Sequence, residues 1–412
     1  MIFLIFMCGE GLGHTGRCIA VGKELLAAGH EVYFGAYGYS KELIEKEGYE
    51  VYRIPQEFRL VGNSGTFDLK ESIKSTVSAV DIAGVSHIFK LLKNSRPDAV
   101  VSDGYYLGIL AARLKNIPAY IIVNQSNMVE YFQEKLDIKG DVHWVAKNQS
   151  NMVEYFQEKG FFMSLLGRLT KIFYDKVYGI VYTIIVPDFP FPYTICRNNL
   201  SFSRKVQHKI NYSGPIIRKG PKKATAKELA HPHVLCTIGG FGYRLPILQK
   251  VISTAKLDKD IHYTIVTGPN IGPGQLAEVP ENVEVQDFIA DPFSYYNSTD
   301  IVISACGHGT TMETLSYGVP ILAFPDRGQK EQENNAQLID EMGYGKKMEY
   351  EVSADSLLRS IREVLDSSTI KENTKMLKKM ASELEGAVFM RKLLEKDLQV
   401  RTVPNDGDMP LS

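Results

Sequence analysis

The sequence predicts an α/β protein built from two doubly wound parallel-sheet domains that face a cleft. Three observations carry this. Short apolar segments alternate with helix-like ones from Met1 to Val123, the βαβα order that specifies parallel strands with helical crossovers. The same alternation restarts near residue 233. Between them, near 195–222, lie Ser213-Gly214-Pro215 and a basic run from Arg218 to Lys223 that holds Gly220 and Pro221, a composition that suits a linker.

The first run, Met1–Cys8, stops at Gly9 and lacks a basic leader, so it is too short for a signal core or a membrane span and reads as a buried strand. A helix over His14–Ala28 closes at Gly29. Then come a strand at Glu31–Phe34, a helix at Ser40–Glu47 closed by Gly48, and a strand at Tyr49–Ile54. Residues 71–93 suit a long helix, Ala99–Ser102 a buried strand, Tyr105–Lys115 a helix and Ala119–Val123 a strand. In the second half the strands are His233–Ile238, Ile261–Thr267, Val283–Gln286, Asp300–Ser304 and Pro320–Phe324. The expected division is 1–200, a linker over 201–222, a second domain over 223–375, a helix over 376–400 and a polar, disordered tail over 401–412.

A chain of 412 residues can bury two or three cores. A formal net charge of −1 removes the global basic field that nucleic-acid binding needs, so no nucleic-acid partner is expected. Five cysteines, at 8, 18, 196, 236 and 306, are odd in number and show no CxxC spacing. That argues against a disulfide framework or a structural zinc site and suits a reducing, cytoplasmic setting. No stretch of about twenty residues is free of charge, so no transmembrane helix is predicted.

The segment NQSNMVEYFQEK occurs twice, at 124–135 and 148–159. An offset of 24 residues is too local for a solenoid. It reads as a local duplication with one copy functionally idle, and residues 136–159 as a loop or helical extension outside the core sheet.

After the first strand comes Gly9-Glu10-Gly11-Leu12-Gly13-His14-Thr15-Gly16-Arg17. Gly11 and Gly13 allow a tight turn and a close approach of ligand to backbone, and the following helix points its free N–H groups at the cleft. The GxGxxG match would suggest a dinucleotide, but the second strand ends Tyr33-Phe34-Gly35-Ala36 without the acidic residue that ribose requires. His14, at a helix N-terminus, can serve as a neutral base toward a sugar hydroxyl, with Asp103 at the same sheet edge to orient its ring. The plainer reading is a capping histidine and a turn aspartate.

Gly239-Gly240-Phe241-Gly242 follows a strand and opens a helix, a second phosphate-cradling loop. The stretch 304–336 carries more. Gly307 and Gly309 bring a helix N-terminus to a pyrophosphate, with Thr310 as hydroxyl donor, and Glu313 one turn on can accept both ribose hydroxyls. Glu331 and Gln332 open another helix with groups suited to sugar hydroxyls.

This spacing is similar to the donor-binding signature of the UDP-glycosyltransferases. The chain as a whole, over about residues 1–390, resembles their relatives near the N-acetylglucosaminyltransferase of peptidoglycan synthesis. The resemblance implies a GT-B fold of two Rossmann-like domains, an inverting, metal-independent hexosyl transfer and a UDP-sugar as co-substrate, without a further cofactor. Gly307, Thr310, Glu313, Gln332, Asn335 and Ala336 match the signature. Glu331 stands where the family has Asp, and Ala305 where plant members place a phosphate-binding histidine, which His308 would replace. Phe288 and Ile289 fall where the family's backbone pairs with uracil, and His14 and Asp103 where it has its base and orienting acid.

Asp258-Lys259-Asp260 is a literal DxD, read as a solvated helix-to-strand turn rather than a metal site. Residues 160–182 place apolar positions 161, 162, 165, 166, 169, 172 and 173 on one helix face. This is either a core helix or a surface that contacts anionic lipid and presents a lipid-linked acceptor. The acceptor is expected to be a glycan or lipid-linked. Two alternatives stand beside the transferase: a UDP-sugar 2-epimerase of the same fold, and a non-catalytic UDP-sugar-binding subunit.

Overall fold

The computed structural model describes residues 1–9, 12–57, 62–63, 66–67, 82–126, 170–238, 244–268, 270–276 and 278–402. The repeated dodecapeptide beyond Ser126, the segment 136–159, Gly11, Gly239, Gly240, Gly242 and the tail beyond 402 lie outside them.

Two parallel sheets form as the alternation predicts. The first has seven strands in the order β3-β2-β1-β6-β7-β8-β9, with β1 at Ile2–Met7, β2 at Glu31–Ala36, β3 at Val51–Arg53, β6 at Ala99–Asp103, β7 at Ala119–Ile122, β8 at Thr183–Val186 and β9 at Ile210–Tyr212. Two-residue strands at 62–63 (β4) and 66–67 (β5) pair with each other apart from it. The second sheet has six strands in the order β12-β11-β10-β13-β14-β15: His233–Thr237 (β10), His262–Val266 (β11), Val283–Gln286 (β12), Ile301–Ser304 (β13), Ile321–Ala323 (β14) and Gly345–Lys347 (β15).

Strand β1 shows why its sequence has no polar face. Phe3 to Met7 are all fully buried, and alternate residues serve two cores: Leu4 and Phe6 one face of the sheet, Phe3, Ile5 and Met7 the other. In each sheet the strand order reverses beside the first strand, between β1 and β6 and between β10 and β13. Crevices at such switch points, at the carboxyl ends of the strands, are where ligands bind in doubly wound folds. Helix α1 (Leu12–Ala27) starts at the first of these points and helix α2 (His308–Ser316) at the second.

Several elements differ from expectation. Asp103 is the last residue of β6 rather than the first of the loop, so the sheet itself fixes its backbone. Strand β9 lies inside the expected linker; its three residues are too few to show a period. Strand β8 follows a helix over 170–180 by two residues, too closely for a turn signal to separate them. The helix expected over 376–400 is two, α3 (Ser368–Leu384) and α4 (Gly386–Thr402). They break at Glu385, which takes a left-handed φ of 43°. Gly386 follows because a Cβ there would lie 2.5 Å from the carbonyl oxygen of Pro215. Helix α4 then packs on α1 and the first sheet, with Met390 and Leu394 fully buried beside Phe3 and Ile5.

Asp258 is also not the solvated turn residue expected. It is buried, accepts from the Arg362 guanidinium and from the Asp260 N–H, and so fixes a turn instead of facing water. Among the described residues, no helix is long and apolar enough to cross a membrane.

Candidate active site

His14 and Asp103 meet. Helix α1 begins two residues before His14, and β1 pairs with β6 so that Met7 lies beside Asp103. The ring Nδ1 of His14 lies 2.7 Å from Asp103 Oδ1. A carboxylate only accepts, so Nδ1 carries the proton and Nε2 is left with the lone pair. The His14 side chain is 30% exposed, while Asp103 is fully buried. A partly exposed imidazole is thus oriented by a carboxylate that solvent cannot reach. Gly104, in the left-handed region at φ 71°, lets the chain turn under the ring: a Cβ there would sit 3.1 Å from His14 Cε1.

Arg17, one turn along α1, was not singled out from the sequence. Its Nε donates to Asp103 Oδ2 at 2.7 Å and its Nη2 to Oδ1 at 3.0 Å, a two-point clasp. Nη2 also donates to Asn124 Oδ1 at 3.2 Å. Burial raises the Asp103 carboxyl, but the charges of Arg17 and His14 and their hydrogen bonds outweigh it and hold it down at about 2.

The second half reaches the same point. A Cβ on Gly309 would fall 2.6 Å from Gly13 Cα, so the first turns of α1 and α2 touch. Two helix N-termini, each carrying the partial positive charge of its helix dipole, converge here, a setting that favours an anion. The turn before α2 is held open by Cys306, a non-glycine residue at φ 58°. Its N–H donates to Ser304 Oγ at 3.1 Å, and its carbonyl accepts from Asn335 Nδ2 at 2.9 Å. Asn335 therefore shapes the turn, and its Oδ1 accepts from Asn199 Nδ2 at 2.9 Å from the other half of the chain. Gly307 has nothing within 4 Å of a notional Cβ, so open space faces it.

His308 stands elsewhere than the sequence suggested. Its Nε2 lies 3.2 Å from Asp188 Oδ2 and its Nδ1 3.3 Å from Arg17 Nη1. Both ring nitrogens thus engage protein groups, which turns the ring away from a phosphate; its backbone N–H is the group at the helix terminus. That N–H donates to Glu331 Oε1 at 3.1 Å. Gln332 Oε1 accepts from the Asp326 N–H at 2.9 Å and ties the preceding turn.

Glu313 lies one turn into α2, with Arg218 Nε 3.5 Å from its Oε1. Burial raises its carboxyl, and Arg218 offsets part of that. The guanidinium of Arg218 also lies over the Phe293 ring, 5.1 Å from its centroid. Thr310 is partly exposed on the same turn as Gly309. Phe288 is 63% exposed at the end of β12, with Ile289 partly buried beside it.

Asp188, Cys196 and His308 hold ligand-type atoms within 4.8 Å of one another. They do not make a good metal centre. The Asp188 oxygens accept from the N–H groups of Phe189, Ile195 and Cys196, and burial pushes the Cys196 thiol well up, away from the thiolate a metal takes.

Two facing parallel sheets, with a His–Asp pair at the first and a converging helix terminus at the second, define a glycosyltransferase of the GT-B class. Residues 243–387 match the glycosyltransferase family 28 C-terminal domain, and residues 1–153 match glycosyl transferase family 1. An uncharacterized glycosyltransferase of Methanosarcina mazei is 48% identical over 397 residues, which cover 96% of this chain and 98% of the relative. The chain belongs to that glycosyltransferase family. Among solved structures, the calicheamicin glycosyltransferase CalG4 superposes with a TM-score of 0.69 at 18% identity, over 98% of this chain and 99% of that one. MurG of Acinetobacter baumannii does so with a TM-score of 0.58 at 17% identity, over 96% of this chain and 100% of that one. These two likenesses are of fold.

Proposed function

We propose that this glycosyltransferase moves a hexose-type sugar from a UDP-sugar to an acceptor hydroxyl, with inversion and without a metal. The observation that carries the reading is the His14–Asp103 contact of 2.7 Å, with His14 partly exposed. In the proposed reaction His14 Nε2 removes the proton of the acceptor hydroxyl as its oxygen attacks the anomeric carbon. The C–O bond to the diphosphate breaks, and its electron pair leaves with the nucleotide. The α1 and α2 termini stabilise the departing negative charge. Asp103 stays ionised and stabilises the imidazolium that forms. Glu313 takes the ribose hydroxyls, and Phe288 and Ile289 face the base.

The test is a thermal-shift screen of UDP-, GDP- and dTDP-sugars, followed by product stereochemistry by NMR. Stabilisation by UDP-sugars in EDTA and an inverted anomeric centre support the reading. Stabilisation by another nucleotide alone, a retained centre, or epimerised donor without transfer would overturn the respective part.

The acceptor is proposed to be lipid-linked, with peripheral membrane contact through 160–182. On the described part of that segment Val177, Tyr178 and Val181 enter the core while Ile172 and Phe173 remain 52% and 40% exposed. Co-sedimentation with anionic vesicles checks it; folded protein that stays in the supernatant overturns it.

A further inference from the structure

The residues that hold His308 belong to the other half of the molecule. Asp188 follows β8 of the first sheet and Arg17 lies on α1, yet His308 opens helix α2 of the second half. The ring is 2% exposed between them. Asp188 only accepts, so His308 donates from Nε2 and its Nδ1 lone pair accepts from Arg17 Nη1 at 3.3 Å. The other Arg17 nitrogens bond Asp103 and Asn124, and Nη2 also lies 3.0 Å from His14 Nδ1, so the guanidinium touches the ring itself. One guanidinium, 4% exposed, therefore joins the acid behind His14 to the first residue of the helix that faces the donor phosphates.

The chemistry gives this link a purpose. An ionised Asp103 facing His14 alone would favour the imidazolium, and a protonated ring cannot take a proton from an acceptor. Arg17 balances that charge while leaving the carboxylate free to orient Nδ1–H. The other ionisable groups that interact with the guanidinium include Cys18, Cys196 and Glu331; burial pushes both thiols well up and so keeps them neutral. Glu331 donates no counter-charge to Asp103; it sits on the α2 N-terminus through the His308 N–H.

We propose that Arg17 is a positioning residue that keeps His14 unprotonated and aligned, and that its contact with His308 makes this depend on the second domain being seated against the first. The proposal rests on the reading of His14 as the base.

The test separates the two claims. Protein with ¹⁵N-labelled histidine is titrated by side-chain NMR, without substrate, as parent, Arg17→Met, Arg17→Lys and His308→Leu. The parent is expected to show His14 with its proton on Nδ1 and His308 with its proton on Nε2. In Arg17→Met the His14 imidazolium persists to a pH about one unit higher, and Arg17→Lys restores most of the difference. The nucleotide sugar found by thermal shift is then used for kinetics. Arg17→Met should lower kcat about 10²-fold, leave the donor KM within about threefold, and move the acidic limb of the rate profile in the same direction. An unchanged His14 titration in folded Arg17→Met overturns the proposal. If that variant fails to fold, His308→Leu decides: an unchanged His14 titration and kcat overturn the link to the second domain. A shifted His14 titration combined with full turnover in His14→Ala leaves the electrostatic link standing and removes the base reading instead.

Discussion

Gly309 faces Gly13 across the cleft so closely that a Cβ on Gly309 would lie 2.6 Å from the Gly13 Cα. The obstructing atom is backbone and cannot rotate away. Gly309→Ala is therefore expected to part the two helix termini. An overpacked contact of this kind costs about 1–3 kcal/mol. Because that contact joins the two halves, kcat/KM for the donor is expected to fall about 10-fold or more, while Tm falls by only a few degrees because neither core is touched. Steady-state kinetics beside a melting curve check it.

His14→Ala should lower turnover by about 10²-fold or more, as loss of a general base does, while UDP affinity by calorimetry stays within about twofold. Glu313→Ala should do the reverse and weaken UDP. Equal turnover in His14→Ala removes His14 from the chemistry.

Glu57 offers a pH test. Its carboxylate accepts from the N–H groups of Tyr106 and Leu107, at the first turn of a helix over Tyr106–Leu114. Burial raises its carboxyl to about 7 against those two hydrogen bonds. Between about 4.5 and 7 the folded state holds a proton that the unfolded state has released, so stability falls as pH rises through that window. The change is on the order of 2 kcal/mol, allowing for the partial solvation of the group. Glu57→Gln should flatten the dependence, measured by urea unfolding at pH 5, 6 and 7.5.

Asp326 and Arg244 form a buried ion pair, with Arg244 Nε 3.0 Å from Asp326 Oδ1 and Tyr350 Oη donating to the same oxygen at 2.7 Å. Asp326→Ala leaves the buried Arg244 guanidinium without its carboxylate, which costs about 3–5 kcal/mol. A fall in Tm of roughly 10 °C is expected for the transition of the second half. Asp326→Asn should recover part of it.

The two sheets were legible because β1, β6, β10 and β13 are buried on both faces and their apolar runs are bounded by glycine or charge. The meeting of His14 and Asp103 was legible because one opens the helix after β1 and the other ends the strand beside it. Strand β15 was not, since Gly345-Lys346-Lys347 is a polar edge that any loop could contain. Arg17 was missed for a different reason. A cation one turn into a helix reads as a solvated surface residue until the partners arrive from Asp103, 86 residues on, and from His308 in the other half. Asn335 matched a donor signature by type and spacing, yet its hydrogen bonds shape Cys306; sequence spacing says which residues are near a ligand, not which atoms are still free to meet it.

Helix α4 covers α1 and the first strand, and its residues are translated more than 350 positions after them. Phe3, Ile5 and Leu25 thus wait through nearly the whole of synthesis for Met390 and Leu394 to arrive. The half of the molecule that emerges first from the ribosome is the half completed last, and the second domain can reach its native packing while the first is still missing a wall.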